Sequence, residues 1–217
     1  EQRFRPEYSY YRFSSHYFSW DNNLNATQVS NKRLLIHTNT FRNNFNLALN
    51  HYTVSDYTYL NAAMLPEQQA TNANVLQIEL SKTFQLGKLY LHNQLYYQHS
   101  KSTSIPLPEF GAFTRLYFQS KFYGSIIQLG IDAFYNTAYY GLGWNPISRL
   151  FYIQQQTKIG NYPLLNPYFS MQVNRVTVFA QYDHVNQNLI NKGFYNTPHY
   201  PIALQSFKFG IKWRMYY

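Results

Sequence analysis

The sequence predicts an all-β fold, an antiparallel up-and-down transmembrane β-barrel with about 11–12 visible strands that form a whole barrel or part of a larger one. Three observations support this prediction. Apolar and polar residues alternate with a period of two through most of the 217 residues. Aromatic residues make up 20% of the chain and charged residues only 12%, about half the share usual in soluble proteins. Short predicted turns are interleaved with long loops.

The hydropathy of the chain excludes a helical membrane protein. No stretch approaches the ~18 consecutive apolar residues that a membrane-spanning helix requires, and the mean hydropathy is -0.45. A barrel is compatible with this average, because its strands alternate lipid-facing apolar residues with lumen-facing polar ones.

The last segment of the chain shows the alternation best. Every second residue of the stretch 207–217 is apolar or aromatic, and Lys208, Lys212 and Arg214 lie between them. A helix would distribute these charges around all its sides, so the pattern indicates a strand with two unlike faces. The same alternation predicts strands over residues 8–20, 29–41, 44–59, 74–84, 88–100, 112–121, 124–137, 149–159, 167–174, 176–185 and 206–217.

The number of predicted strands is odd, whereas bacterial single-chain barrels have an even number. We therefore expect that one strand is miscounted or that further strands precede this chain. Residues 1–217 would then form a single barrel domain or the C-terminal portion of one. Short turns are predicted at 42–44, 86–88, 122–124 and 174–175, and longer loops at 61–74, 101–111, 137–148 and 186–205.

Alternation alone does not show which face meets water, because a soluble β-sandwich has the same period with its apolar face turned inward. Three features favour a membrane. The apolar positions are nearly free of charge, and strands of ten or more residues match the ~9–11 residues of a tilted span. Aromatic residues cluster near strand ends, as at 17–20 and 139–140, where a membrane interface would suit them. A soluble β-protein is the alternative, and extraction from cells without detergent would favour it.

The residues predict no catalytic or metal chemistry. The chain has no Cys, and none of its 7 His lies in a zinc-binding motif. It has no Gly-x-Ser-x-Gly nucleophile motif, and the glycines of the segment 141–144 lack the third glycine of a phosphate-binding loop. We therefore expect neither an enzyme nor a cofactor nor a bound metal.

The net charge of the chain is +9, but its basic residues are scattered singly, so we expect no nucleic-acid partner. In an outer membrane the same excess suits phosphate-bearing lipopolysaccharide or a lumen that favours anions. The polar positions of the strands predict a lumen lining. Its candidates are Arg33, His37, Gln77, Glu79, Gln128, Asp132, Gln154, Gln156, Gln172, Gln181, Lys208, Lys212 and Arg214.

The end of the chain resembles the C-terminal signal that outer-membrane proteins present to the barrel-assembly machinery. In that signal a polar residue and a glycine precede alternating apolar or aromatic positions, the last of which is aromatic. The matching positions are Lys208, Gly210, Trp213, Met215 and Tyr217. The resemblance implies the assembly machinery as a partner that pairs with a strand edge, and it implies that the last of these residues is the true C-terminus.

A longer resemblance covers most of the chain and is densest after residue 150. The segments that carry it are IGNYP (159–163), YDHVNQ (182–187), YNTPHYP (195–201) and the strand 207–213, together with WDNN (20–23). They look like the C-terminal region of the "putative porin" family of Bacteroidota outer-membrane β-barrels. Because members of that family are generally longer, the resemblance implies the C-terminal portion of a barrel in the outer membrane of a Gram-negative bacterium.

Two functions are compatible with these interpretations. The first is a channel for passive diffusion of small polar solutes, with membrane lipid and lipopolysaccharide as its partners. The second is a structural or accessory barrel subunit of a larger outer-membrane secretion or uptake complex, with other outer-membrane proteins as partners.

Overall fold

The computed structural model describes residues 27–40, 43–187, 189 and 194–215. These residues include no helix with the length and apolar composition of a membrane span. The strands in chain order are β1 (Gln28–Thr40), β2 (Asn43–Ser55), β3 (Thr58–Leu60), β4 (Pro66–Gln68), β5 (Ala73–Leu86), β6 (Leu89–Ser100), β7 (Phe110–Phe122), β8 (Ser125–Asn136), β9 (Gly143–Asn145), β10 (Leu150–Tyr152), β11 (Leu164–Val173), β12 (Val176–Asp183), β13 (Tyr195–Thr197), β14 (Tyr200–Pro201) and β15 (Ser206–Trp213).

Nine of the described strands form one antiparallel sheet in the order β1-β2-β5-β6-β7-β8-β11-β12-β15. Neighbouring strands of this sheet follow one another in the chain when the strands of the small hairpins are left out, so the sheet is an up-and-down meander. The described strands form an open sheet with β1 and β15 at its edges. The prediction of an all-β, antiparallel fold is therefore confirmed, and closure into a barrel stays a prediction.

The connections at the two ends of the sheet differ in length. At one end, only two residues separate β5 from β6, β7 from β8, and β11 from β12. At the other end, long segments join β2 to β5, β6 to β7, β8 to β11, and β12 to β15. We call these the turn end and the loop end. The remaining six strands form three small hairpins within the long connections.

The short turns form where the sequence permits left-handed backbone. Gly87 and Gly124 have φ angles of 59° and 77°, and Tyr123 and Asn174 have φ angles of 46° and 49°. Positive φ matches the backbone of a two-residue turn to the twist of its strands, and glycine adopts it without steric cost. The predicted turns at 86–88, 122–124 and 174–175 are confirmed.

The strand predicted over 149–159 is wrong. Only β10 forms there, and it pairs with β9 inside the connection between β8 and β11. The chain reverses because Arg149 has a φ of 55°. The side chain of Gln154 then donates to the backbone carbonyls of Gly141 and Thr157, at 2.6 and 2.8 Å, and holds the segment as a loop.

The strand predicted over 44–59 is divided. β2 ends at Ser55, because Asp56 has a φ of 53° and cannot continue a strand. β3 then pairs with β4 instead of continuing the sheet. The predicted strand 8–20 and residues 216–217 of the last predicted strand lie outside the described residues.

The register staggers neighbouring strands. Leu89, the first residue of β6, pairs with Phe118, which lies four residues before β7 ends at Phe122. Phe45 pairs with Lys82, so that β5 continues further towards the turn end than β2 does. Tilted strands with a fixed stagger are the geometric requirement for closing a sheet into a barrel.

The buried hydrophobic cluster of the described residues lies at the loop end, not across a face of the sheet. It contains Val54, Tyr57 and Ala73, with Tyr59 and Ile105 packed against them. The described strands outside the large sheet have only two or three residues each, so none of them covers one of its faces. A soluble sandwich would bury its core between two sheets.

Candidate functional site

The strand register divides the side chains of the sheet into two faces of opposite character. The apolar face includes Leu34, Leu47, Leu49, Leu76, Ile78, Leu80, Leu95, Leu116, Phe118, Ile127, Leu129, Ile131, Phe169, Met171, Val178, Phe207, Phe209, Ile211 and Trp213. The polar face includes Arg33, Asn50, Gln77, Glu79, His92, Tyr96, Arg115, Tyr117, Gln128, Asp132, Asn166, Tyr168, Gln172, Gln181, Lys208 and Lys212.

The apolar face is open to its surroundings. Phe209 is 80% exposed, Ile211 71% and Leu129 60%. Within the described strands, the charged residues of this face are Lys32 in β1 and Lys82 in β5. A continuous exposed apolar surface of this extent marks a site that contacts a membrane or another protein.

Aromatic residues border the apolar face at both ends. Near the loop end Tyr182 pairs with Phe207 across β12 and β15, and at the turn end lie Phe122, Tyr123 and Trp213. Between them lie mainly aliphatic residues, with further aromatic positions within the band, among them Phe118. These inner members are Leu116, Ile131, Ile127, Met171, Val178, Ile211, Phe169 and Phe209. Aromatic girdles around an aliphatic band are typical of membrane barrels.

Arg115 and Asp132 form the centre of the polar face. They are register partners on β7 and β8, and Nε and Nη2 of Arg115 donate to Oδ1 and Oδ2 of Asp132 at 2.7 and 2.6 Å. The guanidinium also lies 5.6 Å from the ring centre of Phe113 and 5.2 Å from that of Tyr168. The Arg115 side chain is 43% exposed, against 10% for Asp132. The carboxylate thus fixes the arginine in one orientation, and the arginine retains further N–H donors.

Each carboxylate on the polar face of the nine strands has a cationic partner within the described residues. Besides Asp132, Glu79 lies 3.8 Å from Arg33 and accepts a hydrogen bond from Asn50 Nδ2 at 3.3 Å. Asp183 pairs with Lys208 of the neighbouring strand and accepts from Gln181 Nε2 at 2.6 Å. Paired carboxylates contribute little net negative potential to this surface.

Glycines allow aromatic rings to lie against the polar face. A Cβ added to Gly111 would lie 1.9 Å from Cζ of the Tyr96 ring, and one added to Gly210 would lie 2.7 Å from the Phe179 ring. Each ring therefore occupies the space that a side chain on the neighbouring strand would fill. Aromatic rings that cover glycines on a neighbouring strand also fix the strand register in designed sheets.

A buried cluster of polar side chains connects segments of the chain at the loop end. His184 and Asn186 are each 1% exposed and Tyr162 is 5% exposed. His184 Nδ1 lies 3.0 Å from the Ala203 carbonyl, which can only accept, so Nδ1 carries a proton. His184 Nε2 lies 2.7 Å from the Tyr162 hydroxyl, which also donates to the Asn186 carbonyl at 3.2 Å. Burial raises the pKa of the Tyr162 hydroxyl. The backbone N–H of His184 also donates to Asn166 Oδ1 at 2.8 Å. The cluster joins three segments of the chain and therefore has a structural role.

The structure places nine of the predicted lumen residues on the polar face. They are Arg33, Gln77, Glu79, Gln128, Asp132, Gln172, Gln181, Lys208 and Lys212. The backbone of His37 pairs with that of Asn46, and Arg214 follows the end of β15. Gln154 and Gln156 do not lie on the sheet, because residues 153–158 form a loop.

The residues of the predicted assembly signal lie at the edge of the described sheet. Lys208, Gly210 and Trp213 are in β15, and Met215 follows it and is exposed. Tyr217 lies outside the described residues. Recognition of these residues by the assembly machinery stays a prediction.

Sequence reasoning missed Arg115, whose guanidinium has two carboxylate bonds and two ring contacts. The signal was present, since Arg115 lies within the predicted strand 112–121, next to the apolar Leu116. No group of three or more His, Cys, Asp or Glu side chains that could hold a metal ion occurs in the described part of the chain.

Comparison with known families agrees with this geometry. A family model described as "Putative porin" matches residues 1–217, the whole chain. The chain belongs to this family. The match also covers the residues before 150, where the sequence resemblance is weaker. A comparison with curated proteins found no match to this chain.

Proposed function

We propose that this chain forms part or all of a transmembrane β-barrel in the outer membrane of a Gram-negative bacterium, a member of the Bacteroidota. The observation that carries the proposal is the opposite character of the two faces of one sheet. The apolar face would contact acyl chains, and the polar face would line a lumen. Family membership supports the same location.

The dimensions of the sheet support a membrane span. Its nine strands have between 8 and 14 residues, and a tilted barrel strand needs about 9–11 residues to cross a bilayer. Outer-membrane barrels have short periplasmic turns and longer extracellular loops. We therefore assign the turn end to the periplasm and the loop end to the cell exterior.

The proposed function is passive diffusion of small polar solutes through the lumen. Polar and charged groups along a wet path replace part of the hydration of a solute, as in other channels. The polar face offers such groups in successive rows, from Gln77 near the loop end to Lys212 near the turn end. We expect no enzymatic activity and no cofactor.

The proposed partners follow from the surfaces. Membrane lipid and lipopolysaccharide would cover the apolar face, and the barrel-assembly machinery would pair with β15 through the predicted signal. We expect no nucleic-acid partner.

Conductance tests the proposed function. The purified protein is added to planar lipid bilayers in KCl, and stepwise current increases are expected. A heat-sensitive shift in gel mobility, a property of folded barrels, shows in parallel that the protein is folded. Absence of current from folded protein would contradict the channel. Stable co-purification with other outer-membrane proteins, together with absence of current, would favour the accessory role in a larger complex.

A further inference from the structure

The charges of the polar face are unevenly distributed between its two ends. Its three strand carboxylates, Glu79, Asp132 and Asp183, each have a cationic partner. Its strand lysines and arginines are Arg33, Arg115, Lys121, Lys208 and Lys212. Three of these five serve as the partners of the carboxylates. Within the described residues, Lys121 and Lys212 form no ion pair, and both side chains are exposed.

The two lysines lie in the same row of the sheet. Lys121 pairs with Ile126, Ile126 with Gln172, Gln172 with Thr177, and Thr177 with Lys212. Four strand spacings separate them, about 19 Å along the sheet at ~4.8 Å each. The row lies next to the turn end, because β7 ends one residue after Lys121.

The two rows nearest the turn end contain no carboxylate among the described residues of the polar face. The row before the lysines contains Gln119, Gln128, Ser170, Phe179 and Gly210. The positive potential of the two ammonium groups is therefore not cancelled locally. At 0.1 M salt it extends about 10 Å from each group.

Arg115 provides a second anion contact further inside. It lies six residues before Lys121 on the same strand and face, about 20 Å away at ~3.4 Å per residue. Asp132 fixes its guanidinium, while its exposed part retains N–H donors. An anion entering from the turn end would meet the lysine row first and this arginine next.

We infer that the lumen is selective for anions, and that Lys121 and Lys212 at the turn end set this selectivity. The inference rests on the proposed channel function and specifies its substrate class, which is small anionic solutes such as carboxylates, phosphate and sulfate. By Coulomb's law in water, an ammonium about 8 Å from an ion favours a monovalent anion about twofold over a neutral solute.

The test measures the reversal potential of the reconstituted protein across a tenfold KCl gradient. We expect a chloride-to-potassium permeability ratio above 1 for the unchanged protein. The ratio should increase as the mean salt concentration falls, because the screening length grows from about 3 Å at 1 M to about 10 Å at 0.1 M. The double variant Lys121→Gln/Lys212→Gln should have a ratio close to 1, and Lys121→Glu/Lys212→Glu should prefer potassium.

The matched control is Lys82→Gln/Lys88→Gln. It also removes two positive charges near the turn end, but Lys82 is on the apolar face and Lys88 is in a turn, where it donates to Ser120 Oγ at 3.0 Å. This control should keep the ratio of the unchanged protein.

The outcomes separate the two proposals. Conductance without anion preference, or an anion preference that survives both replacements at Lys121 and Lys212, would overturn the inference and leave the channel intact. Absence of conductance from folded protein would overturn the channel and the inference with it.

Discussion

Replacing Leu129 by arginine is expected to destabilise the membrane-inserted protein by about 3–6 kcal/mol. Leu129 lies in β8 on the apolar face, between its register partners Phe118 and Phe169. It is 60% exposed in the isolated chain, so in a bilayer most of its side chain would contact acyl chains.

The magnitude has two parts. An arginine on the lipid face near the bilayer midplane costs about 2–4 kcal/mol. Loss of the leucine contact adds about 1–2 kcal/mol, because complete burial of such a side chain contributes about 1.5–3 kcal/mol and 60% of this one is open to the lipid. In a water-soluble protein the same exposure would make the substitution nearly neutral, within about 0.5 kcal/mol.

The assay is urea unfolding of the protein folded into phospholipid vesicles, followed by tryptophan fluorescence. Ser170→Arg is the matched control, because Ser170 lies on the neighbouring strand but on the polar face, opposite Gln128. The free energy of unfolding of the Ser170→Arg variant should differ from that of the unchanged protein by less than about 1 kcal/mol. Equal losses for the two variants, or no loss for Leu129→Arg, would refute the assignment of the faces.

Three further predictions follow from individual contacts. Gly111→Ala should cost about 1–3 kcal/mol, because the new methyl overlaps the Tyr96 ring, and the cost should largely disappear in a Tyr96→Ala background when urea unfolding is measured as a double-mutant cycle. Asp132→Asn should cost about 1–2 kcal/mol in the same assay, near the lower limit for bonds to charged groups, because its arginine partner is partly exposed; an unchanged midpoint would contradict a role for the pair. Hydrogen bonds from Asn61 and a neighbouring tyrosine hold the pKa of Glu67 below its ordinary value. The ionised Glu67 side chain therefore stabilises the β3–β4 hairpin at pH values above its ordinary pKa, and this stabilisation is lost as the pH falls through the lowered pKa. Acidification over this range should increase proteolysis of the hairpin in the unchanged protein. The same change of pH should not increase it in Glu67→Gln.

The period-two alternation was sufficient to predict the large sheet. Successive side chains of a strand point to opposite faces of the sheet, so the alternation shows which residues share a face and therefore the same surroundings. The segments around β8 and β15 illustrate this, since the alternation places Leu129 and Phe209 on one face and Gln128 and Lys208 on the other, as the strand register does.

Alternation failed where backbone geometry is set by contacts between distant residues. The segment 149–159 has strand-like composition, but the amide of Gln154 bonds to the carbonyl of Gly141, thirteen residues away, and closes a loop. The break after β2 depends on a left-handed Asp56, which no local periodicity reveals.

The pairing of charges was equally inaccessible to the sequence. Arg115 and Asp132 are 17 residues apart and meet only through the register of β7 with β8. Whether Lys121 has an ion-pair partner likewise depends on the register, which places Ile126 of β8 opposite it. The sequence thus predicts which residues share a face, and the register determines which of them meet.

The most direct test of the two-faced sheet is a spin-label scan along β8. The chain has no Cys, so single cysteines introduced at positions 126 to 129 can be labelled without background. In lipid vesicles, labels at Ile127 and Leu129 should collide mainly with oxygen dissolved in the bilayer, and labels at Ile126 and Gln128 mainly with a water-soluble nickel chelate. Ile126 is the sharpest position, because it is apolar but lies on the polar face opposite Gln172. Labels at Ile127 and Leu129 that meet the nickel chelate, or the absence of any alternation, would contradict a membrane-facing apolar surface.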